Sequence, residues 1–489
     1  MRRGVVLIGV VATLLAGCGG GHRSTPPARR HSHPKPAPRQ PVSRAKLVVT
    51  VLDGDRLVRV RGARVRILHR SGVTNAHGTA VIAAPQRLLV VSVSAHGYTP
   101  VSTRLNFCRR KQTVRIYEPK LQWPFYGATP ARSGAQTAIK LRPPFKLVWS
   151  RAMGRLIEFP AVVWDGFAYI GNARATVHAI SMRNGAIAWT HTTPGGPRMA
   201  ASPAVFGKEL VYHTIGGWVY VLDRSDGKVV WSWNAGSAIE SSPVVLHGID
   251  YFGTAGGSVD ALDLDTHRLR WSRSLGSKIT SSAAIAGGTL YVGDYAGRLW
   301  ALSPATGATR WVGQVNGKIY GTPAVSEGRV FVPSSTGDSL TAFTTRGRYL
   351  WRIDTGNYVY SSPAVWQGTV VFGSFTGDFY GVDVATGRIV WRVYTGGTIS
   401  GAAVVVDGVA YAGSFSHRIF GVSIRTGRTL LIFPHGEYVP VSGNGQRLLL
   451  HGFSRLYAVQ PFGNGRHRVQ HAHAHARRRP KAKHRQTAC

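Results

Sequence analysis

Residues that could do chemistry recur at one register of this 489-residue chain. Arg155, Arg198, Ala238, Lys278, Lys318, Tyr358, Thr398 and Tyr438 each stand five positions before a recurrent Pro or its substitute. Four are basic, two are tyrosines and none is acidic. Placed around one opening, such charges reinforce one another in a concave, partly dry funnel. Tyr adds flat apolar surface with a hydroxyl. The expected ligand is anionic: an acidic wall polymer or an acidic peptide segment. The plainer reading is a set of loop residues in a chain that is basic throughout. Two positions further on, Glu240 stands among Ile157, Ala200, Thr280, Tyr320, Tyr360, Ser400 and Pro440, so basicity is not uniform there.

Other constellations carry less. There is no Gly-x-Ser-x-Gly elbow and no His-Glu-x-x-His helix, which removes the common hydrolase signatures. His69, His77 and His96 match no zinc spacing, and no Cys-x-x-Cys occurs. Asp223, Asp226, Asp263, Asp265 and Asp383 fall in inter-strand turns. His471, His473 and His475 alternate near the end and could hold a divalent metal only weakly. No metal site and no catalytic residue is assigned.

A strong internal repeat must position these residues. Trp occurs at 149, 189, 231, 271, 311, 351 and 391, in steps of 40, 42, 40, 40, 40 and 40, and Leu431 takes the next slot. Gly precedes most of these by four residues, at 185, 227, 307, 347, 387 and 427, with His267 the exception. Between the columns lie short alternating runs with turn residues every 8–12 positions, which predicts four strands per unit of about 40 residues. Seven units run from Pro160 to Leu431. Residues 438–460 supply three more strands, and Lys146-Leu147-Val148-Trp149 is a fourth strand without partners. Pairing the two gives an all-β, eight-bladed β-propeller closed by both ends of the domain, with no open sheet edge.

Ala301-Leu302 through Thr306-Gly307 to Trp311, and Val382-Asp383 through Thr386-Gly387 to Trp391, resemble the docking motif of the PQQ-like β-propeller repeat family. The segment Trp123-Pro124-Phe125-Tyr126-Gly127, with Pro130-Ala131-Arg132, resembles how such propellers open. The resemblance implies that Trp149, Trp189, Trp231, Trp271, Trp311, Trp351 and Trp391 pack against neighbouring blades and lock the ring. It also raises a quinoprotein dehydrogenase, which would need pyrroloquinoline quinone, calcium and an Asp base. Without adjacent cysteines or a long lid insertion, no cofactor is expected, and the dehydrogenase stands as an alternative. A second alternative is the lipid-anchored propeller of outer-membrane β-barrel assembly.

The ends of the chain set the compartment. Arg2 and Arg3 precede an apolar run from Val5 to Leu15, too short to span a bilayer, as in an export signal. Leu15-Ala16-Gly17-Cys18 resembles the lipobox of bacterial lipoproteins, which implies lipidation of Cys18. The expected order is a signal peptide (1–18), a Pro/Arg-rich disordered tether (19–46), a small β-sandwich (47–120), the propeller (121–461) and a basic His/Arg-rich disordered tail (462–489). Gly62-Ala63-Arg64-Val65, Thr74-Asn75-Ala76-His77-Gly78 and Ala95-His96-Gly97-Tyr98 resemble the carboxypeptidase-regulatory-like sandwich family. Cys108 and Cys489 either pair or leave a free thiol in the tail. The charge of +39, from 60 basic and 21 acidic residues, favours anionic surfaces. The expectation is a monomeric, exported scaffold, anchored by lipid to the outer face of the cytoplasmic membrane or the periplasmic envelope. It would bind envelope proteins or anionic wall polymers and touch the membrane through its anchor and tether. Nucleic acid is not expected as a partner.

Overall fold

The computed structural model describes residues 44–195 and 198–462. Residues 44–462 fall in one compact unit. The expected signal, Cys18, most of the tether, the tail and Cys489 lie outside the described residues. Cys108 is disulfide-bonded and so is no free thiol. No described helix is long and apolar enough to cross a membrane.

The N-terminal part holds seven strands: β1 (Arg44–Asp53), β2 (Arg64–Ile67), β3 (Arg70–Val73), β4 (Thr79–Pro85), β5 (Leu88–Ser94), β6 (Val101–Asn106) and β7 (Lys111–Ile116). They form two sheets, in the orders β4-β1-β7 and β3-β2-β5-β6. Alternation decides the faces. In β2, Val65 and Ile67 are buried while Arg64 and Arg66 are exposed. Leu47, Val49 and Val51 from one sheet join Val65, Ile67, Val91 and Val93 from the other in one core.

Eight sheets follow, each with four antiparallel strands, one of them extended by a fifth, parallel strand. Sheet 1 spans 162–192, sheet 2 204–234, sheet 3 244–274, sheet 4 284–314, sheet 5 324–354, sheet 6 364–394 and sheet 7 404–434. Sheet 8 comprises Val441–Gly443, Leu448–His451 and Arg455–Pro461, completed by β9 (Phe145–Ala152). The first strand of sheet 1 lies beside that of sheet 8, so the series closes on itself. In sheet 3 the second strand, Ile249–Gly253, is buried throughout, while the fourth, Arg268–Ser274, is largely exposed. Inner strands therefore form the core and outer strands face water.

The Trp column lies on the fourth strands and bridges neighbouring sheets. Trp271 Nε1 donates to Pro304 O at 2.9 Å, Trp311 to Thr345 O at 3.1 Å and Trp351 to Val384 O at 3.1 Å. Trp149, Trp189 and Trp391 do the same with Met182, Arg224 and Ile424. Each ring also covers the turn glycine of the next sheet. A Cβ on Gly307 would meet Trp271 Cε3 at 2.8 Å. Trp231 differs: its Nε1 is buried without a partner, and it stacks on His267 at 4.3 Å, the residue that replaces the glycine.

The segment before β9 is structural, although it lies outside the repeat. Trp123 is fully buried and bridges Val163. From there the chain crosses the centre of the ring. Val205 N–H donates to Pro124 O, Ile285 to Pro130 O, Val325 to Ala131 O, Val365 to Ser133 O and Val405 to Gly134 O. β8 (Ala135–Gln136) then pairs in parallel with Val404–Val406. Arg132, 2 % exposed, donates to the carbonyls of Tyr126, Ser242, Pro243 and Ala283. Burial lowers its guanidinium to about 10. One end of the central channel is thus plugged.

Candidate binding site at the mouth of the ring

The open end is built by the lead-in to each first strand and by the turn between second and third strands. Ile215 N–H donates to Arg198 O, Ala255 to Ala238 O, Tyr295 to Lys278 O, Ser335 to Lys318 O, Phe375 to Tyr358 O and Phe415 to Thr398 O. These residues therefore occupy equivalent rim positions. Sheet 1 is the exception: Ala173 donates to Leu156 O, so Leu156 takes the rim position rather than Arg155. A two-residue insertion before Arg198 makes that repeat 42 residues long, and Pro160 lies one place out of the proline column. Immediately after each rim residue an apolar side chain points inward: Met199, Ile239, Ile279, Ile319, Val359, Ile399 and Val439 are buried.

Inside the rim lies a narrow cup of about 70 Å³. Its wall carries Glu158, Glu240, Thr280, Tyr320, Tyr360 and Ser400, with Tyr126 from the plug. Of the six rim residues expected to bind ligand, only Tyr438 lines the cup. Below the wall, hydroxyls link successive sheets: Ser202 N–H donates to Ser242 Oγ, Ser242 to Ser282, Ser282 to Thr322 and Thr322 to Ser362, at 2.9–3.2 Å. Tyr126 Oη donates to Ser362 Oγ at 3.0 Å.

The mouth has two unlike halves. On one side the charges are mixed. Lys278 Nζ lies 2.8 Å from Glu240 Oε1. Lys278 and Lys318 both face the Tyr295 ring, 5.3 and 5.6 Å from its centroid. Glu158 is raised above its ordinary value, first by burial and then by Glu240, with Arg198 opposing. On the other side the surface is aromatic. Tyr320 and Tyr360 stack at 5.1 Å, Tyr358 and Tyr360 at 5.8 Å, and Phe375 meets Tyr360 edge-on at 4.7 Å. Phe415 and Tyr438 continue the arc at 5.4 Å. Tyr320, Tyr358 and Phe415 remain about two-fifths exposed, at 39 %, 42 % and 42 %. Burial, then Glu240 and Glu158, raises the Tyr320 hydroxyl, which stays a proton donor.

The inner acid of sheet 1 is Glu158, where the uncorrected register gave Ile157. Tyr295, Phe375 and Phe415 form a further column, two residues after the strand-end glycines Gly293, Gly373 and Gly413, and that spacing would have found them. Nothing in the repeat marks Tyr126 or Arg132, which lie outside it.

A family model described as outer membrane protein assembly factor BamB matches residues 173–318 and 255–461. The quinoprotein ethanol dehydrogenase of Pseudomonas putida is 26 % identical over 123 residues, 23 % of this chain and 20 % of that protein. Outer membrane protein assembly factor BamB of Yersinia pestis is 29 % identical over 85 residues, 16 % of this chain and 21 % of that protein. The matches thus span about a fifth of each curated relative. The crystal structure of BamB from Moraxella catarrhalis superposes with a TM-score of 0.55 at 18 % identity, covering 68 % of this chain and all of that one.

The quinone raised by the repeat does not fit the cup. A cup of about 70 Å³ falls far short of the roughly 300–1,000 Å³ of small-molecule sites. Among the described residues no three His, Cys, Asp or Glu side chains cluster as a metal site. Repeat, sheets and superposition agree: the chain belongs to the PQQ-like repeat family of β-propellers, whose model is described as outer membrane protein assembly factor BamB.

Proposed function

We propose that sheets 1–8 are the blades of an eight-bladed propeller. It is carried on a carboxypeptidase-regulatory-like sandwich and held at the cell envelope by a lipid on Cys18. There it serves as a non-catalytic scaffold whose mouth binds a segment of another envelope protein. The observation that carries this reading is the aromatic arc above a plugged, shallow cup, with Tyr320, Tyr358 and Phe415 exposed and Tyr360 and Phe375 half-buried between them. Rigid aromatic rings supply contact area at little entropic cost, and they dominate protein interfaces. Glu240 and Glu158 offset Lys278 and Arg198, so a mixed polypeptide suits the mouth better than a uniformly anionic polymer. The name of the family, an assembly factor of outer membrane proteins, supports a protein partner. The match to a quinoprotein dehydrogenase keeps oxidation of an alcohol as the second reading.

The test is site-specific photocrosslinking in the native cell. A photoreactive residue at Tyr358 or Phe415 should capture a discrete envelope protein, and one at Arg268 on the outer strand of sheet 3 should not. Equal capture at all three positions, or none at the mouth, would sink the proposal.

A further inference from the structure

Away from the mouth, the seam between the N-terminal sheets and the ring encloses a cavity of about 280 Å³. Tyr117, which follows β7, helps to make this seam: its ring fills the space that a Cβ on Gly54 or Gly166 would need. Three arginines from separate stretches line the cavity: Arg115 on β7, Arg183 in the turn before the last strand of sheet 1, and Arg447 before Leu448–His451. Arg447 is 8 % exposed. One of its terminal nitrogens donates to Met182 O, and its Nε is buried without a partner. None of the three arginines forms an ion pair among the described residues. The one carboxylate in the wall, Asp165, is paired with Arg224 at 3.4 Å. Asp55 lies beside Gly54. Burial, then Asp53, raises its carboxyl to about 8, so it adds little negative charge at neutral pH.

A buried guanidinium with a free N–H and like-charged neighbours is costly unless an acceptor of opposite charge completes it. Burial, then Arg115 and Arg183, holds Arg447 below its ordinary value. Planar guanidinium forks match phosphate oxygens in pairs. Ser181, Asn444 and Gln446 add neutral polar groups to the wall.

We propose that this cavity binds a phosphate group carried on a small organic body, and that the bound anion clamps the N-terminal sheets to the ring. The phosphate belongs either to a soluble metabolite or to a lipid headgroup.

The experiment uses the full chain and three probes: inorganic phosphate, glycerol 3-phosphate, and phosphatidylglycerol vesicles. Calorimetry with the soluble probes should give one saturable site. Arg183→Gln, an exposed position that spares the core, should weaken it about tenfold, as expected for a lost charge-assisted hydrogen bond. Arg115→Gln should do the same. A control triple, Arg104→Gln, Arg273→Gln and Arg425→Gln, removes three times the charge of either site variant from elsewhere on the surface and should leave affinity unchanged. Loss of vesicle binding in the site variants assigns the phosphate to a lipid headgroup. Unchanged vesicle binding with lost glycerol 3-phosphate binding assigns it to a soluble ligand. Equal losses in control and site variants, or no saturable binding of any probe below about 10 mM, would overturn the proposal.

Discussion

The strongest test of what holds the ring together is a methyl group added at Gly307. This residue sits in a turn of sheet 4 at φ 70° and is covered by Trp271 of sheet 3. Alanine there meets two costs. An L-residue in the left-handed region costs about 1–2 kcal/mol. The new Cβ would lie 2.8 Å from Trp271 Cε3, closer than real contacts allow, so the ring must move. Moving it strains the Nε1 bond to Pro304 O, and overpacking of this kind costs about 1–3 kcal/mol. Gly276 supplies the control, because its φ is 76° and nothing lies within 4 Å of its Cβ position. Gly276→Ala should therefore show the backbone cost alone. His267 occupies the equivalent slot under Trp231 at φ 60°. His267→Gly should be nearly neutral, since relief of the backbone offsets about 0.5–1.5 kcal/mol of lost stacking. The assay is urea unfolding followed by tryptophan fluorescence. Gly307→Ala should lose about 2–5 kcal/mol in all, more than Gly276→Ala by the ring contact. If the two glycine variants unfold at the same midpoint, the Trp–turn contacts do not lock adjacent sheets.

Two buried groups should give the stability–pH profile opposite slopes. Burial holds His451 down at about 4 from 6.5, so only the unfolded chain gains a proton as pH falls between these values, and the stability His451 contributes drops there. Asp55 is raised from 3.8 to about 8, so its contribution is complete below 3.8 and should be lost as pH rises towards 8. The two slopes cancel between about 4 and 6.5 and leave a fall in stability from 6.5 to about 8. Unfolding measured against pH should show that fall extended down to about 4 in His451→Asn, and abolished in Asp55→Asn, which exposes the rise between about 4 and 6.5. Incubation with pyrroloquinoline quinone and calcium should give no dye-linked oxidation of alcohol or glucose, and turnover above background would restore the dehydrogenase reading. Metabolic labelling with a clickable palmitate should mark the chain, and Cys18→Ala should abolish both the label and partitioning into detergent. A variant that still partitions fully would remove the lipid anchor from the proposal.

The repeat was legible because each column answers one recurring physical need. Trp covers a turn, glycine leaves room beneath it, and a small residue faces it across the strand pair, as Ala301 faces Trp311. Closure through β9 was legible for a related reason: a Trp strand without partners and three strands without a Trp strand fit each other. The cup was less legible. Register read from Pro160 slipped by one residue, which put Arg155 where Leu156 stands and hid Glu158. Charge type alone also gave no warning that Glu240 binds Lys278, because ion pairs between units depend on side-chain reach across a gap. The segment that forms the plug was legible as the opening of such a propeller, but not its path across the ring, since Arg132 is satisfied by backbone carbonyls, which every residue carries.

The closure of sheet 8 also sets a timetable. β9 pairs with Arg455–Pro461, which the ribosome makes about 300 residues later. At about 5–20 residues per second, the wait is roughly 15–60 s. Until then Phe145–Ala152 has no partner strand, and Leu147, Val148 and Trp149 offer an apolar edge that could pair with another chain. A chaperone that shields this edge during synthesis would raise yield without changing the folded protein. A chain that stalls before residue 455 would be more prone to aggregate than its nearly complete ring suggests.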